Sequence, residues 1–173
     1  MPGARSASIT LVMSFCRLQA DFAEIDAGAE PRFDRFLAAA GLAPGTLEST
    51  VILPYNNRAA VERIVEREAA NLAAVIVDPL PNNVGFPDPE PGFLSFLREL
   101  TAKHGILLIC DEIISFRIGY QGASAKFGIK PDLITLGKII GGGLPVGAVG
   151  GSAEVMSVFD PRAGKPRVPH GGT

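Results

Sequence analysis

The sequence has no tryptophan, only two cysteines and two histidines, and no marked excess of charge of either sign. Two cysteines give no disulfide framework, and neither they nor His104 and His170 have the spacing of a metal site. A net charge of −2 gives nucleic-acid binding no electrostatic support. Neither G-x-G-x-x-G nor G-x-x-x-x-G-K-[ST] occurs, so no nucleotide phosphate loop is predicted. The cysteine usage makes the cytoplasm the expected compartment.

Long hydrophobic runs are also missing. The apolar run over residues 7–16 is too short to span a membrane, and no membrane partner is expected. Only one cation, Arg5, precedes it, which disfavours a secretory signal. The run is better interpreted as a strand or helix of a larger domain, or as an N-terminus produced by a truncated or shifted reading frame.

The chain alternates between the two periodicities of secondary structure. With 173 residues, 47% of them hydrophobic, it is long enough to bury one core. Helical spacing predicts a helix capped by Asn56 or Asn57 and running to about Ala70, and a second helix with Pro91 in its first turn, ended by His104 and Gly105. Short apolar runs predict strands at 50–53, 73–77, 106–110, 133–136 and 146–149. This order predicts an α/β fold with parallel strands.

Lys138 is the most informative single residue. It follows a short apolar strand and precedes a run of glycines in DLITLGKIIGGGLPVGAVGG, residues 132–151. Glycines let the backbone approach a bound group closely, and a nearly uncharged setting favours a nucleophilic, neutral amine. Taken alone, a lysine beside glycines is more often a solvated turn residue.

Asp111 is the second candidate. The apolar run 106–110 is typical of a strand covered on both faces, and it ends in the acidic pair Asp111 and Glu112. Ligands of open α/β sheets lie at the carboxyl ends of the strands, so a carboxylate there points toward a ligand. The alternative is an acid that caps a loop or helix at the strand end.

Three segments together resemble a known family. They are ILLICDEIISFR (residues 106–117), KPDLITLGKIIGGGLPVGA (residues 130–148) and HGGT (residues 170–173). They are similar, in order, to motifs of the class III pyridoxal-phosphate aminotransferases, with the nearest likeness to glutamate-1-semialdehyde 2,1-aminomutase and its aminotransferase relatives. The resemblance implies a three-layer α/β/α fold with a largely parallel sheet, as in the large domain of the fold-type I enzymes.

The resemblance also implies a cofactor, pyridoxal 5'-phosphate, and residues that hold it. Lys138 matches the lysine that binds the cofactor as a Schiff base and moves the substrate's proton. Asp111 matches the carboxylate that pairs with the pyridine nitrogen. Asn83 matches an asparagine near the phenolic oxygen, and Thr173 matches a threonine of the neighbouring subunit's phosphate site. Asp78 departs from the glutamate that is usual at its position.

The resemblance divides the chain and leaves two functions open. Residues 1–40 are unassigned, and residues 41–173 are expected to be part of the cofactor-binding large domain, with the phosphate loop upstream and the C-terminal domain absent. One hypothesis is an amino-group-transferring enzyme, a homodimer acting on an amino acid or keto acid. The other is an inactive relative that serves only as a cofactor-binding or subunit-association module. Ile114, where many ω-aminotransferases have glutamine, favours an aminomutase-like branch.

Overall fold

The computed structural model describes residues 50–82, 85–160 and 162, together with the backbone of residues 9–12. Six strands are present: β1 (Ile9–Val12), β2 (Thr50–Ile52), β3 (Leu72–Val77), β4 (Leu107–Asp111), β5 (Leu133–Leu136) and β6 (Ala148–Gly151). The α-helices are α1 (Arg58–Glu68), α2 (Phe93–His104), α3 (Gly122–Lys126) and α4 (Ala153–Met156). Short 3-10 turns cover Ser115–Ile118, Lys138–Gly141 and Ser157–Phe159.

The strands form one sheet in the order β2-β1-β3-β4-β5-β6. Neighbours from β2 to β5 run parallel, and only β6 is antiparallel to its neighbour β5. The largely parallel sheet predicted from the sequence is therefore confirmed. The apolar run near the N-terminus contributes β1 to the interior of this sheet, as the strand interpretation expected.

Local sequence signals set the helix ends. The side chain of Asn57 caps α1 by accepting a hydrogen bond from the Ala60 N–H at 3.0 Å. At the C-terminal end of α2, Gly105 adopts a left-handed conformation (φ 64°) and ends the helix where predicted. Pro91, however, lies in the turn before α2 and not in its first turn. Gly92 adopts φ 76°, which a helix cannot continue through, so α2 begins at Phe93.

The core lies between the sheet and helices α1 and α2. Its members are buried apolar side chains from the helices and from alternate positions of the strands, among them Val61, Val65, Phe93, Leu97, Val75, Val77, Leu108 and Cys110. Cys110 is a buried small residue, as its sequence context suggested. Helices α1 and α2 therefore cover one face of the sheet.

Strand alternation then decides which side chains lie on the other face. Val77 pairs with Cys110, and both are buried in the core under the helices. Asp111, which follows Cys110, pairs with Thr135 and is only half-buried. Successive side chains of a strand point to opposite faces, so Asp111 and Thr135 lie on the face away from α1 and α2.

Strand β6 begins two residues later than the predicted 146–149. The chain needs the residues from Gly142 to Gly147 to reverse direction after the turn Lys138–Gly141, with hydrogen bonds from Leu144 N to Gly141 O and from Val146 N to Leu144 O. Pairing starts only at Ala148, opposite Leu136. The last two residues of β6 are glycines, which have weak strand propensity. The sequence pattern therefore places the strand two residues too early.

Candidate active site at the carboxyl edge of the sheet

Asp111 ends β4 with one carboxylate oxygen fixed in place. Its Oδ1 accepts hydrogen bonds from the Thr135 hydroxyl at 3.0 Å and from the Ile113 N–H at 3.1 Å. Within the part of the chain that the structure describes, Oδ2 has no hydrogen-bond partner. The side chain is thus oriented through one oxygen and can use the other to accept a hydrogen bond from a ligand.

Lys138 emerges from the neighbouring strand. Gly137 alone separates it from the end of β5, and it opens a 3-10 turn with a left-handed backbone, φ 45°. A non-glycine residue in this conformation costs about 1–3 kcal/mol, and such strain is concentrated at functional sites. Lys138 is exposed, and its amine forms no ion pair with any described residue. Gly142 and Gly143 follow with φ 58° and 102°, conformations suited to residues without a side chain.

Asp78 brings a third charged group to the same edge. It directly follows β3, and its Oδ1 accepts a hydrogen bond from the Leu80 N–H at 2.9 Å. Burial raises the pKa of the Asp78 carboxyl, and the negative charges of Asp111 and Glu112 raise it further, while the Leu80 N–H and the charge of Lys138 lower it. The carboxyl ends of β3, β4 and β5 therefore place Asp111 and Lys138 within electrostatic reach of Asp78.

Glu112 follows Asp111 in sequence but has a different environment. It is completely buried, and its two oxygens accept hydrogen bonds from the Ala123 N–H at 2.6 Å and the Ser124 N–H at 2.8 Å, at the start of α3. Gly122 packs against this carboxylate with φ 81°, leaving no room for a Cβ. The Glu112 carboxylate therefore holds the start of α3 against the end of β4 and does not face the site.

Two of the four residues predicted from the sequence can be located. Lys138 and Asp111 lie at the carboxyl edge of adjacent strands, whereas Asn83 and Thr173 lie outside the described residues. Sequence reasoning missed Thr135 as the partner of Asp111. The signal was a lone hydroxyl in the apolar strand LITL, two residues before the glycine that leads into Lys138.

The described residues fit the cofactor that the resemblance implied. Pyridoxal 5'-phosphate needs an amine for its aldehyde and a carboxylate for its ring nitrogen. The amine of Lys138 has no partner among the described groups, and Asp111 keeps an open Oδ2 on a neighbouring strand. A mostly parallel sheet with flanking helices and this lysine and carboxylate at its edge defines the large domain of the fold-type I pyridoxal-phosphate enzymes.

Comparison with known proteins identifies the family within this class. The model of the family "Aminotransferase class-III" matches residues 27–173, so the chain belongs to the class III aminotransferases. The match begins upstream of the boundary predicted at residue 41. Pyridoxal phosphate is the cofactor of this family.

Individual relatives are similar over most of the chain. A glutamate-1-semialdehyde 2,1-aminomutase of Desulfosudis oleivorans is 46% identical over 143 residues, which cover 82% of this chain and 34% of that protein. An omega-transaminase from Sphaerobacter thermophilus superposes with a TM-score of 0.79 at 47% identity, covering 96% of this chain and 39% of that one. A glutamate-1-semialdehyde aminomutase from Pseudomonas aeruginosa in complex with PMP gives 0.67 at 28% identity, covering 96% and 36%. The chain thus spans about a third of the length of its relatives.

In the described part of the chain, no helix has the length and apolar character needed to cross a bilayer.

Proposed function

We propose that the protein carries out pyridoxal-phosphate-dependent amino-group transfer, with Lys138 as its catalytic residue and Asp111 as its ring-nitrogen partner. The observation that carries this proposal is that an Asp111 Oδ2 without a described partner and an exposed lysine amine lie at the carboxyl ends of adjacent strands. Family membership supports the same chemistry. Because the chain spans about a third of its relatives, the activity is a proposal for the protein and not a property read from them.

Asp111 would hold the protonated ring nitrogen through Oδ2. The hydroxyl of Thr135 and the N–H of Ile113 fix the other oxygen, so the carboxylate does not have to reorient when the cofactor binds. A carboxylate opposite the ring nitrogen favours the protonated, cationic ring. When bound, the cofactor supplies an electron sink for the charge that develops at the substrate's α carbon.

Lys138 would bind the cofactor covalently and then move the proton. The form of Lys138 that would condense with the cofactor aldehyde, with loss of water, is the amine left when its ammonium gives up a proton. When not bound to the cofactor, this amine would lie at the sheet edge, where it could take the α-carbon proton and return it. The left-handed backbone of Lys138 turns the chain from the end of β5 directly into the glycine turn, so the lysine lies at the sheet edge.

Asn83 and Thr173 complete the proposed site through resemblance alone. We assign Asn83 to the phenolic oxygen, where an amide donor stabilises the phenolate, and Thr173 to the phosphate. By resemblance we assign that phosphate to the neighbouring subunit, and we propose a homodimer on this ground. Large apolar side chains exposed at Ile139, Ile140, Leu144, Val146 and Val149 of the described surface are consistent with a covered face in such an assembly.

The substrate is a small molecule, an amino acid or a keto acid. The similar proteins include both aminomutases and transaminases. Ile114 favours the aminomutase-like branch, and both an intramolecular amino shift and transamination are compatible with it. We also propose that the protein acts in the cytoplasm, supported by its low cysteine content.

The test is covalent capture of the cofactor. Purified protein incubated with pyridoxal phosphate should show the visible absorption band of the lysine-bound cofactor, and borohydride reduction should leave a stable adduct on the peptide containing Lys138. The Lys138→Ala variant should lose the adduct, and Lys126→Ala, which removes another exposed lysine in α3, should keep it. A folded protein without the band at saturating cofactor would overturn the proposal. An adduct on Lys138 without amino-group transfer to any amino acid or keto acid would instead support the cofactor-binding module.

A further inference from the structure

Asp78 is a charged group of the site that the proposed function does not use. It follows Val77, which pairs with Cys110, so the next positions along the two strands are Asp78 and Asp111. Val77 and Cys110 both point into the core, and alternation turns the following side chains to the opposite face. Neighbouring strands lie about 4.8 Å apart, so the two acids are side by side.

The local structure explains why residue 78 has a side-chain oxygen but not why that side chain is negatively charged. Its Oδ1 closes a turn by accepting a hydrogen bond from the Leu80 N–H, a bond that an asparagine side chain could accept equally well. A carboxylate at this position is instead costly, because it is partly buried and lies beside the charges of Asp111 and Glu112. The fold does not need the negative charge of Asp78, and the neighbouring acids oppose it. We therefore infer that this charge serves to interact with a cation.

The groups around Asp78 identify that cation. The charges that act on Asp78 are those of Asp111 and Glu112 at the end of β4 and of Lys138 after β5. The neutral Tyr55 after β2 and Cys110 within β4 also lie within reach of the Asp78 charge. Lys138 is the one cation in this set, and it forms no ion pair elsewhere among the described residues. Two neighbouring acids thus face one lysine amine.

We propose that Asp78 is a positioning residue that supplies, together with Asp111, the negative potential that holds cationic nitrogen at this edge of the sheet. In the unliganded protein the nitrogen is the Lys138 ammonium. With the cofactor bound, Asp78 and Asp111 would face the cofactor's ring nitrogen and the nitrogen through which Lys138 would hold the cofactor. The inference rests on the proposed function and adds a second acid to it.

Charge and hydrogen bonding can be separated by substitution. Asp78→Asn keeps an oxygen for the Leu80 N–H and removes the charge, whereas Asp78→Glu keeps the charge. We expect Asp78→Asn to weaken cofactor binding about tenfold and to lower, by about one pH unit, the midpoint at which the visible band of the lysine-bound cofactor titrates. Asp78→Glu should stay near the wild type, and Glu99→Gln, an exposed acid on α2, should not differ from it.

A second measurement does not need the cofactor. The Asp78 carboxyl can be titrated by carbon-detected NMR in the unliganded protein. Asp111→Asn should lower the pKa of Asp78 because it removes a neighbouring negative charge, and Lys138→Ala should raise it because it removes the positive one. If neither substitution moves the Asp78 titration, the three groups are not juxtaposed and the proposal is overturned.

The possible failures are distinguishable. Unchanged binding and an unchanged midpoint in Asp78→Asn, in a protein whose wild type forms the band, would overturn this inference and leave the proposed function standing. A wild type that forms no lysine-bound cofactor would overturn both.

Discussion

Replacing Thr135 by valine isolates the support that this side chain gives to Asp111. Valine has nearly the shape of threonine and suits a strand, but it cannot donate the 3.0 Å hydrogen bond to Asp111 Oδ1. A hydrogen bond to a charged group contributes about 1.5–3 kcal/mol, and the half-exposed setting of this pair places it at the lower end. If the bond acts mainly by orienting the carboxylate, its loss should weaken cofactor binding by roughly 10-fold. The bond from the Ile113 N–H remains, which keeps the loss from being complete.

The measurement is a titration of wild-type protein and variants with pyridoxal phosphate, followed by the visible band. Thr135→Ser keeps the hydroxyl and serves as the matched control, and urea unfolding of each variant reports whether the sheet is intact. We expect the serine variant to bind like the wild type and the valine variant to bind weakly while folding normally. Equal affinities for all three proteins would contradict the prediction, because they would show that the Thr135 hydroxyl does not support Asp111.

Three further predictions concern the frame around the site. Gly122→Ala should lower the free energy of unfolding by about 3–5 kcal/mol in urea denaturation. The added Cβ strains a left-handed position (φ 81°) and displaces the Glu112 carboxylate from its two N–H donors. Near-wild-type stability would contradict this packing. Tyr55→Phe should cost about 1–3 kcal/mol in the same assay, since it leaves the Pro79 carbonyl without the buried 2.9 Å bond from the phenol. Burial raises the pKa of the Cys110 thiol to about 12, so in a variant lacking the other cysteine, alkylation at neutral pH should be at least about 100-fold slower in the folded than in the unfolded protein, and similar rates would place the thiol at the surface.

Much of the frame follows from short-range signals. The strands at 50–52, 72–77, 107–111 and 133–136 and the two long helices lie within a few residues of their predicted bounds, because apolar periodicity and caps such as Asn57 and Gly105 act locally. The exceptions depend on contacts that the sequence does not display. The start of α2 is set by the left-handed Gly92 and not by Pro91, and β6 begins only after the glycine turn has reversed the chain.

The acidic pair at the end of β4 shows why the site itself was only partly predictable. From the sequence, an acid at a strand end such as Asp111 is compatible with facing a ligand or with capping a neighbouring segment. In the structure, the two roles belong to adjacent residues. Glu112 is buried and caps α3, whereas Asp111 keeps one oxygen without a partner among the described groups. Strand alternation makes such a division natural, since consecutive side chains leave the strand toward opposite faces. Two residues distant in sequence decide which acid takes which role. Once the chain has folded, Gly122 leaves room for the Glu112 carboxylate, and the Thr135 hydroxyl donates a hydrogen bond to Asp111.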